Sequence, residues 1–352
     1  MIIKIDAIDT LFFRDGKPFG DEDSWANSNF FPSPSTIYGA LRAIYFSQNP
    51  KDLEKANKDD DPTKDLTING IYFYRDEEPF FIVPQDLIEV KDSDNLELLS
   101  IKSSQFTNSP LEKTFYFKEN KEIEKVNGFL SAFTMENYLG LYENNFAYYD
   151  LDKLIFQEFK IGIGRNNKKV AEDSKLYRVG LSRYEDEKLN KFSLVVDFNG
   201  LEIEKEGLLK FGGEGKGANY QEIDSFEKFE FEFDSNNIFK LYLLTPAIFK
   251  NGWYPDWLEK NFEGKIKDIE LKLIASAIGK PQYIGGWDID KNQPKKMFKA
   301  VPAGSVFYFK VINGKKEKVK EVFNYKSIVS IDEYQKEGYG ITIVGNYKGE
   351  KR

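Results

Sequence analysis

The stretch Ile3-Lys4-Ile5-Asp6-Ala7 opens the chain with alternating apolar and polar residues. Because strand side chains point alternately to opposite faces, this alternation predicts a strand with one buried face. After a turn-rich loop comes Phe30-Phe31-Pro32-Ser33-Pro34-Ser35-Thr36. Ser33 is a good N-cap and Pro34 suits the first helical position, so a helix is predicted from there to about Phe46.

Strand signals recur along the rest of the chain, with few helices between them. Two similar cycles of strands predict an α+β protein with antiparallel sheets. A boundary within residues 220–236 separates a domain of residues 1–228 from one of residues 229–352. The polar segment 48–65 is expected to be a mobile excursion, and residues 91–150 a large insertion with one possible helix. Strands are predicted at residues 70–74, 80–83, 156–163, 176–183, 192–198, 207–211, 229–233, 239–244, 269–278, 305–311 and 341–344, and short helices at 133–143 and 332–337.

The composition excludes most familiar enzyme mechanisms. The chain contains neither His nor Cys. This removes catalytic triads, histidine acid–base catalysis, zinc sites with thiolate or imidazole ligands, and disulfides. Chemistry that uses carboxylates, Lys, Tyr or Mg²⁺ remains open, but the acidic residues form no recognisable metal motif. We therefore predict a protein without enzymatic activity, metal or cofactor.

The charge is acidic overall but uneven. The formal net charge is −8, which argues mildly against a free-standing nucleic-acid binder. Residues 291–320, however, carry nine Lys and one acid, and residues 160–169 carry four positive charges and no acid. Such a distribution suits a protein that binds RNA on one side and proteins elsewhere, although any single charge run is more often a solvated face. The charged amino terminus and the absence of a long apolar run predict a cytoplasmic protein without a membrane partner.

The glycine-rich sequence GGEGKG, residues 212–217, is the first candidate site. It lacks the third glycine of a dinucleotide-binding turn, and Lys216 is followed by Gly217 instead of Ser or Thr, which rules out a P-loop. The loop can offer the bare amides of Gly212, Gly213 and Gly217 to phosphate, with the charge of Lys216 beside them. A plain mobile turn is an equally good interpretation.

Basic side chains supply the other candidates. Phosphate binding is a hypothesis for the hairpin tip at residues 160–169, although a solvated hairpin is favoured by the residues alone. A second hypothesis places an anion site at the start of the first helix, against ordinary capping and surface charge. A third assigns RNA binding to the lysines that follow residues 285–288. The residues concerned are Arg165, Lys168 and Lys169 in the hairpin, Arg14, Lys17, Ser35 and Arg42 around the helix start, and Lys295, Lys296 and Lys299 near the carboxyl end.

Six motifs occur in an order that resembles one protein family. They are FFRDGKPF (12–19), FPSPSTIYGALR (31–42), IGIGRNNKKVAEDSKLYRV (161–179), FGGEGKGA (211–218), GGWD with PKKMFKAVPAGSVFYF (285–309), and EGYGITIVGNY (337–347). Together they resemble the third subunit of the Cmr complex, a RAMP protein of type III-B CRISPR systems in the Cas-five-like group. The resemblance spans both halves of the chain.

The resemblance implies two ferredoxin-like domains, similar to RNA-recognition motifs, with large loop insertions. It further implies a subunit that holds the 5′ handle of the CRISPR guide RNA, packs against the large polymerase-like subunit and caps the stack of backbone RAMP subunits. It adds Arg178 to the hairpin site and assigns phosphate binding to the glycine loop.

Two other functions remain open at this point. One is a metal-independent RAMP endoribonuclease that processes the guide precursor with Tyr and Lys. The other is a structural adaptor that contacts only protein.

Overall fold

The structure is a computed structural model. It describes residues 1–14, 25–26, 28–91, 95–103, 109–142, 145–165, 171–186, 188, 190–226, 228–229, 237–288 and 293–347.

The helices are few and short, as the sequence predicts. The first begins where expected, because the Ser33 side chain accepts a hydrogen bond from the Thr36 backbone N–H and Pro34 occupies the first turn. In the described part of the chain, no helix has the length and apolar character to cross a membrane. The α-helices are α1 (Pro34–Gln48), α2 (Ala132–Gly140), α3 (Lys318–Phe323) and α4 (Asp332–Lys336), with 3₁₀ turns at Pro50–Lys55 and Leu151–Lys153.

Strands form most of the regular structure, and their pairing is almost entirely antiparallel. They are β1 (Ile2–Ala7), β2 (Trp25–Ala26), β3 (Thr67–Arg75), β4 (Glu78–Ile82), β5 (Leu87–Val90), β6 (Leu96–Leu98), β7 (Ser100–Ser103), β8 (Lys113–Tyr116), β9 (Ile123–Glu124), β10 (Gly128–Ser131), β11 (Asn145–Phe146), β12 (Tyr149–Asp150), β13 (Phe156–Arg165), β14 (Ala171–Arg183), β15 (Ser193–Asn199), β16 (Glu206–Lys210), β17 (Gly217–Glu222), β18 (Ile238–Leu243), β19 (Glu263–Ile266), β20 (Ile269–Ala277), β21 (Gln282–Ile284), β22 (Trp287–Asp288), β23 (Gln293–Pro294), β24 (Phe298–Ala300), β25 (Val306–Asn313), β26 (Lys326–Ser327) and β27 (Ile341–Asn346).

Two large sheets organise the chain. The first has eight strands in the order β12-β10-β4-β3-β15-β1-β17-β16, and the second has six in the order β19-β20-β25-β18-β27-β26. The strands of the first sheet all precede those of the second in the chain. The expected α+β class with antiparallel sheets is therefore confirmed, whereas the domain boundary and the ferredoxin-like description stay predictions.

The long hairpin β13–β14 lies outside both large sheets. Its strands pair from Phe156 with Arg183 to Arg165 with Ala171, and β2 adds a short parallel strand to it. A sheet of four strands, β11-β6-β5-β9, and the pairs β7–β8, β21–β24 and β22–β23 complete the topology.

The buried apolar residues form three large cores. In β1, Ile3 and Ile5 pack with Ile37 and Leu41 of α1 on one face of the first sheet. A second core lies within the carboxyl-terminal half. The third contains residues of both large sheets, such as Val195 of β15 and others of β25, together with α2. The two halves therefore share a buried apolar interface.

Two expectations about the chain's course need correction. Residues 48–65 were expected to be mobile, but they form a 3₁₀ turn and further turns held by specific hydrogen bonds. Residues 91–150 were expected to be a large insertion that is irregular apart from one helix; α2 agrees with that helix and packs in the shared core, but the segment also contributes several short strands. The strand predicted at residues 229–233 falls mostly outside the described residues.

Candidate nucleic-acid interface

The segment that continues β1, residues 8–14, connects the hairpin β13–β14 to the glycine loop, which we define as residues 211–217. Leu11 exchanges two backbone hydrogen bonds with Ser182 of β14, both 2.8 Å long. The Gly213 backbone N–H donates to the Phe12 carbonyl oxygen over 2.8 Å. Phe12 also packs against the apolar side chains of β14. Two predicted sites that are far apart in the sequence therefore meet at this segment.

The glycines of the loop are needed to bring its backbone close to Phe12. Gly212 has φ +85°, and a Cβ atom there would lie 2.5 Å from the Phe12 carbonyl oxygen. A Cβ atom on Gly213 would lie 2.9 Å from the Phe12 ring. At Gly217 the nearest such contact is an ordinary 3.5 Å. Packing therefore accounts for the first two glycines, and the alternative of a plain mobile turn loses its basis.

Lys216 has partners within the chain. Its ammonium group donates to the Thr10 hydroxyl over 2.7 Å and lies 3.2 Å from a carboxylate oxygen of Asp9. The Thr10 backbone N–H and the Lys216 ammonium lower the pKa of Asp9, although partial burial acts against them. An RNA phosphate that binds Lys216 must therefore share the ammonium group with Asp9.

The hairpin site is described only in part. Arg165 ends β13, while Lys168 and Lys169, like Lys17 of the helix-start site, lie outside the described residues. The guanidinium carbon of Arg178 lies 3.7 Å from the centroid of the Phe159 ring, which is close enough for a cation–π contact. Arg14 is exposed and forms a single antiparallel bridge with Ser28.

Arg42 is held by the segment that follows α1. Its guanidinium group donates to Thr63 over 2.7 Å, to Asn57 over 2.9 Å and to Asp61 over 2.7 Å. Burial would raise the pKa of Asp61, but hydrogen bonds from Thr63 and Asn57 and the charge of Arg42 outweigh it, so this pKa is lowered. The geometry gives Arg42 a structural role in fixing residues 57–63 against the helix.

Ser35 faces the carboxyl-terminal half. Its hydroxyl donates to the carboxylate of Glu337 and lies 2.9 Å from the Tyr339 hydroxyl. It also lines a cavity of about 350 Å³, which we call the polar cavity, together with Lys295 and Lys296. The structure thus brings the helix-start site next to Lys295 and Lys296, a proximity that no local sequence pattern predicts.

One of the carboxyl-terminal lysines, Lys299, lies beside an exposed aromatic ring. In the pair β21–β24, Tyr283 lies opposite Lys299 and Ile284 lies opposite Phe298. This register buries Ile284 and leaves Tyr283 43% exposed, with the Lys299 ammonium 5.9 Å from its ring centroid. Lys280 is also exposed nearby in the chain. We use the name lysine patch for the exposed residues of the segment 280–299 that could contact RNA, which are Lys280, Tyr283, Lys295, Lys296 and Lys299.

A larger cavity opens between the two halves. Its volume is about 530 Å³, and it is lined mainly by apolar residues such as Phe30, Phe31 and Pro246. Lys125 and Lys280 lie at the same cavity. Lys280 therefore belongs both to the lysine patch and to the cleft between the halves.

Three residues of the candidate sites were missed by sequence analysis: Lys280, Tyr283 and Glu337. Tyr283 stands between Gly279 and Gly285, three positions after Lys280, and this was a usable signal for an exposed aromatic. Glu337 gave none, because it is one of 58 acidic residues. Within the described residues, no group of three or more acidic side chains is placed to hold a metal ion.

The chain was compared with known proteins. Residues 3–347 match the family described as CRISPR-associated protein (Cas_Cmr3). The chain belongs to this family. The resemblance noted in the sequence is therefore confirmed, and the Cas_Cmr3 match covers both large sheets. No curated protein matches the chain significantly.

Two solved structures contain chains with a similar fold. One, "Cryo-EM structure of the Type III-B Cmr-beta bound to cognate target RNA", contains a chain that is 17% identical, with a TM-score of 0.54; the match covers 96% of this chain and 95% of that one. Another, of the same assembly bound to cognate target RNA and AMPPnP, gives 18% identity and a TM-score of 0.53 with the same coverage. At this identity the similarity concerns the fold.

Proposed function

We propose that this Cas_Cmr3 protein is a non-catalytic subunit of a type III-B effector complex that binds the 5′ handle of the CRISPR guide RNA. The observation that carries the proposal is the lysine patch, in which the exposed ring of Tyr283 lies beside Lys299 and three further exposed lysines belong to the same segment. A ring that can stack on a base, combined with cations that can neutralise phosphates, is the usual arrangement for single-stranded RNA.

A second surface supports the proposal at the other candidate site. The glycine loop, residues 8–14 and the hairpin β13–β14 are held together by backbone hydrogen bonds. Arg14 and Arg178 both belong to this assembly. Its cations can contact RNA backbone while the loops fix their positions.

The protein partners belong to the proposal as well. We infer that the chain packs against a large polymerase-like subunit and a backbone RAMP subunit, and the similar fold of chains in Type III-B Cmr-beta structures supports a place in such an assembly. We also infer a cytoplasmic location.

We further infer that each half is a ferredoxin-like unit. In the first sheet the adjacent strands β17-β1-β15-β3 are all antiparallel, and α1 lies between β1 and β3 in the chain. In the second sheet β27-β18-β25-β20 repeat that order, with α3 and α4 between β25 and β27. If the four strands of each set are numbered in chain order, both sheets have the spatial order 4-1-3-2, which is that of a β-α-β-β-α-β unit.

The RNA-binding proposal predicts a salt-dependent affinity that depends on the lysine patch. The double substitution Lys296→Gln and Lys299→Gln is expected to reduce the slope of log affinity against log salt by about 1.4, since each single-strand phosphate contact contributes about 0.7. Affinity near 0.1 M salt is expected to fall about tenfold. Fluorescence anisotropy with a labelled handle RNA measures both quantities.

The control replaces two exposed lysines of the same half, Lys250 and Lys260, and so removes the same charge elsewhere. It is expected to leave the slope nearly unchanged. Equal effects of the two double variants would refute the patch as the binding surface. A discrete cut in the labelled RNA, dependent on this chain, would contradict the non-catalytic role.

A further inference from the structure

The polar cavity has the dimensions of a small-ligand site. Its volume of about 350 Å³ falls within the range of roughly 300–1,000 Å³ that is usual for such sites. It lies where the start of α1 meets β24 and α4. Its lining combines a carboxylate, a hydroxyl, aromatic rings and cations, which belong to Glu337, Ser35, Phe298, Tyr334, Lys295 and Lys296.

Glu337 is the unusual group in this lining. It is only 8% exposed, and burial raises the pKa of its carboxyl, although the hydrogen bond from Ser35 acts against this. A carboxylate offers about four acceptor positions, and Ser35 occupies one of them. A buried carboxylate is costly unless donors satisfy it. A ligand in the cavity that carries hydrogen-bond donors would therefore be favoured.

The rest of the lining indicates what kind of ligand carries those donors. Phe298 and Tyr334 form an edge-to-face pair with ring centroids 5.5 Å apart, which provides an aromatic wall. Lys295 and Lys296 are exposed at the same cavity. They disfavour a cationic ligand such as an arginine side chain and favour one that carries a phosphate. A planar, donor-bearing group attached to a phosphate is a nucleotide.

We propose that the polar cavity binds one unstacked guanine of a single-stranded RNA. Glu337 accepts hydrogen bonds from the guanine N1–H and N2–H, and Lys295 and Lys296 form ion pairs with a flanking phosphate. Guanine presents two neighbouring donors on its Watson–Crick edge. Adenine and cytosine present an amino group beside an acceptor nitrogen, which a carboxylate repels, and uracil presents one N–H between two carbonyl oxygens. This inference rests on the proposed RNA-binding function and adds base identity to it.

The test compares three labelled hexanucleotides, UUGUUU, UUIUUU and UUAUUU, with the full chain. The guanine RNA is expected to bind about tenfold more tightly than the adenine RNA, as for a bidentate contact to one base. Inosine lacks the N2 amino group, so its RNA should bind with intermediate affinity. Glu337→Gln is expected to abolish the preference, while Glu333→Gln, an exposed acid of the same cavity, should retain it.

The outcomes separate this inference from the proposed function. Equal affinity for the three RNAs would overturn the guanine site and leave RNA binding intact. A preference that persists in Glu337→Gln would also overturn it. No binding of any of the RNAs would refute the proposed function and the guanine site with it. The inosine comparison uses the wild-type protein, so it remains decisive if Glu337→Gln does not fold.

Discussion

Replacing Asp86 with alanine is expected to lower the free energy of unfolding by about 3–5 kcal/mol. Asp86 is fully buried in the core shared by the two halves. Its carboxylate accepts hydrogen bonds from the Tyr138 hydroxyl, at 2.8 and 2.9 Å, and from the Tyr308 hydroxyl at 2.6 Å. Alanine would leave two buried hydroxyls without their acceptor and the nearby Lys240 without a counter-charge. Urea unfolding followed by circular dichroism measures the loss.

Asp86→Asn is the matched control, because it keeps the shape and one oxygen acceptor while removing the charge. It is expected to cost less than the alanine variant. A loss below about 1 kcal/mol for Asp86→Ala, within the range of ordinary surface substitutions, would mean that the buried network does not join the halves as described.

The stability of the protein is expected to rise between pH 7 and pH 9 because of Lys240. This lysine is fully buried, and its ammonium group donates to the Tyr138 carbonyl oxygen over 2.9 Å. Burial lowers its pKa to about 7, although Asp86 acts in the opposite direction. In the unfolded chain the pKa is about 10.4. Between these values the unfolded chain holds a proton that the folded protein has released, so the free energy of unfolding increases with pH.

The expected gain from pH 7 to pH 9 is roughly 2 kcal/mol, and below about pH 7 this group adds no further dependence since both states are charged. Lys240→Met is expected to lose that gain, because it removes the titrating group from the same buried position. Urea unfolding of both proteins across this range provides the test. Parallel pH profiles for the wild type and Lys240→Met would show that Lys240 does not titrate in this way.

Local features of the fold could be predicted from the sequence. The Ser33 cap, the proline after it and the apolar spacing of Ile37, Leu41 and Ile44 define α1 without help from the rest of the chain. Most of the predicted strands are present for the same reason, since alternation and β-branched or aromatic residues act over a few positions. The order of strands in the sheets depends on contacts between distant segments, and no local pattern reveals it.

The candidate sites were predicted less completely, because the partner of a charged residue is decided by the tertiary fold. The sequence predicts that Arg42 binds an anion, but in the structure Arg42 forms an ion pair with Asp61, which the chain brings close after a turn. Lys216 donates a hydrogen bond to Asp9, which lies more than 200 positions away in the sequence. Ser35 donates one to Glu337, which lies near the opposite end of the chain. The lysines at residues 295–299 are predicted from their local density, whereas the ring of Tyr283 comes next to Lys299 only through the pairing of β21 with β24.

The central claim is that this chain contacts guide RNA within its assembly. The most direct test is photocrosslinking of an effector complex assembled with a guide RNA that carries photoreactive bases in the handle, followed by peptide mapping. The expected result is crosslinks to this chain at the lysine patch and around the glycine loop. Handle crosslinks that map only to other subunits would contradict the claim and favour a purely structural adaptor.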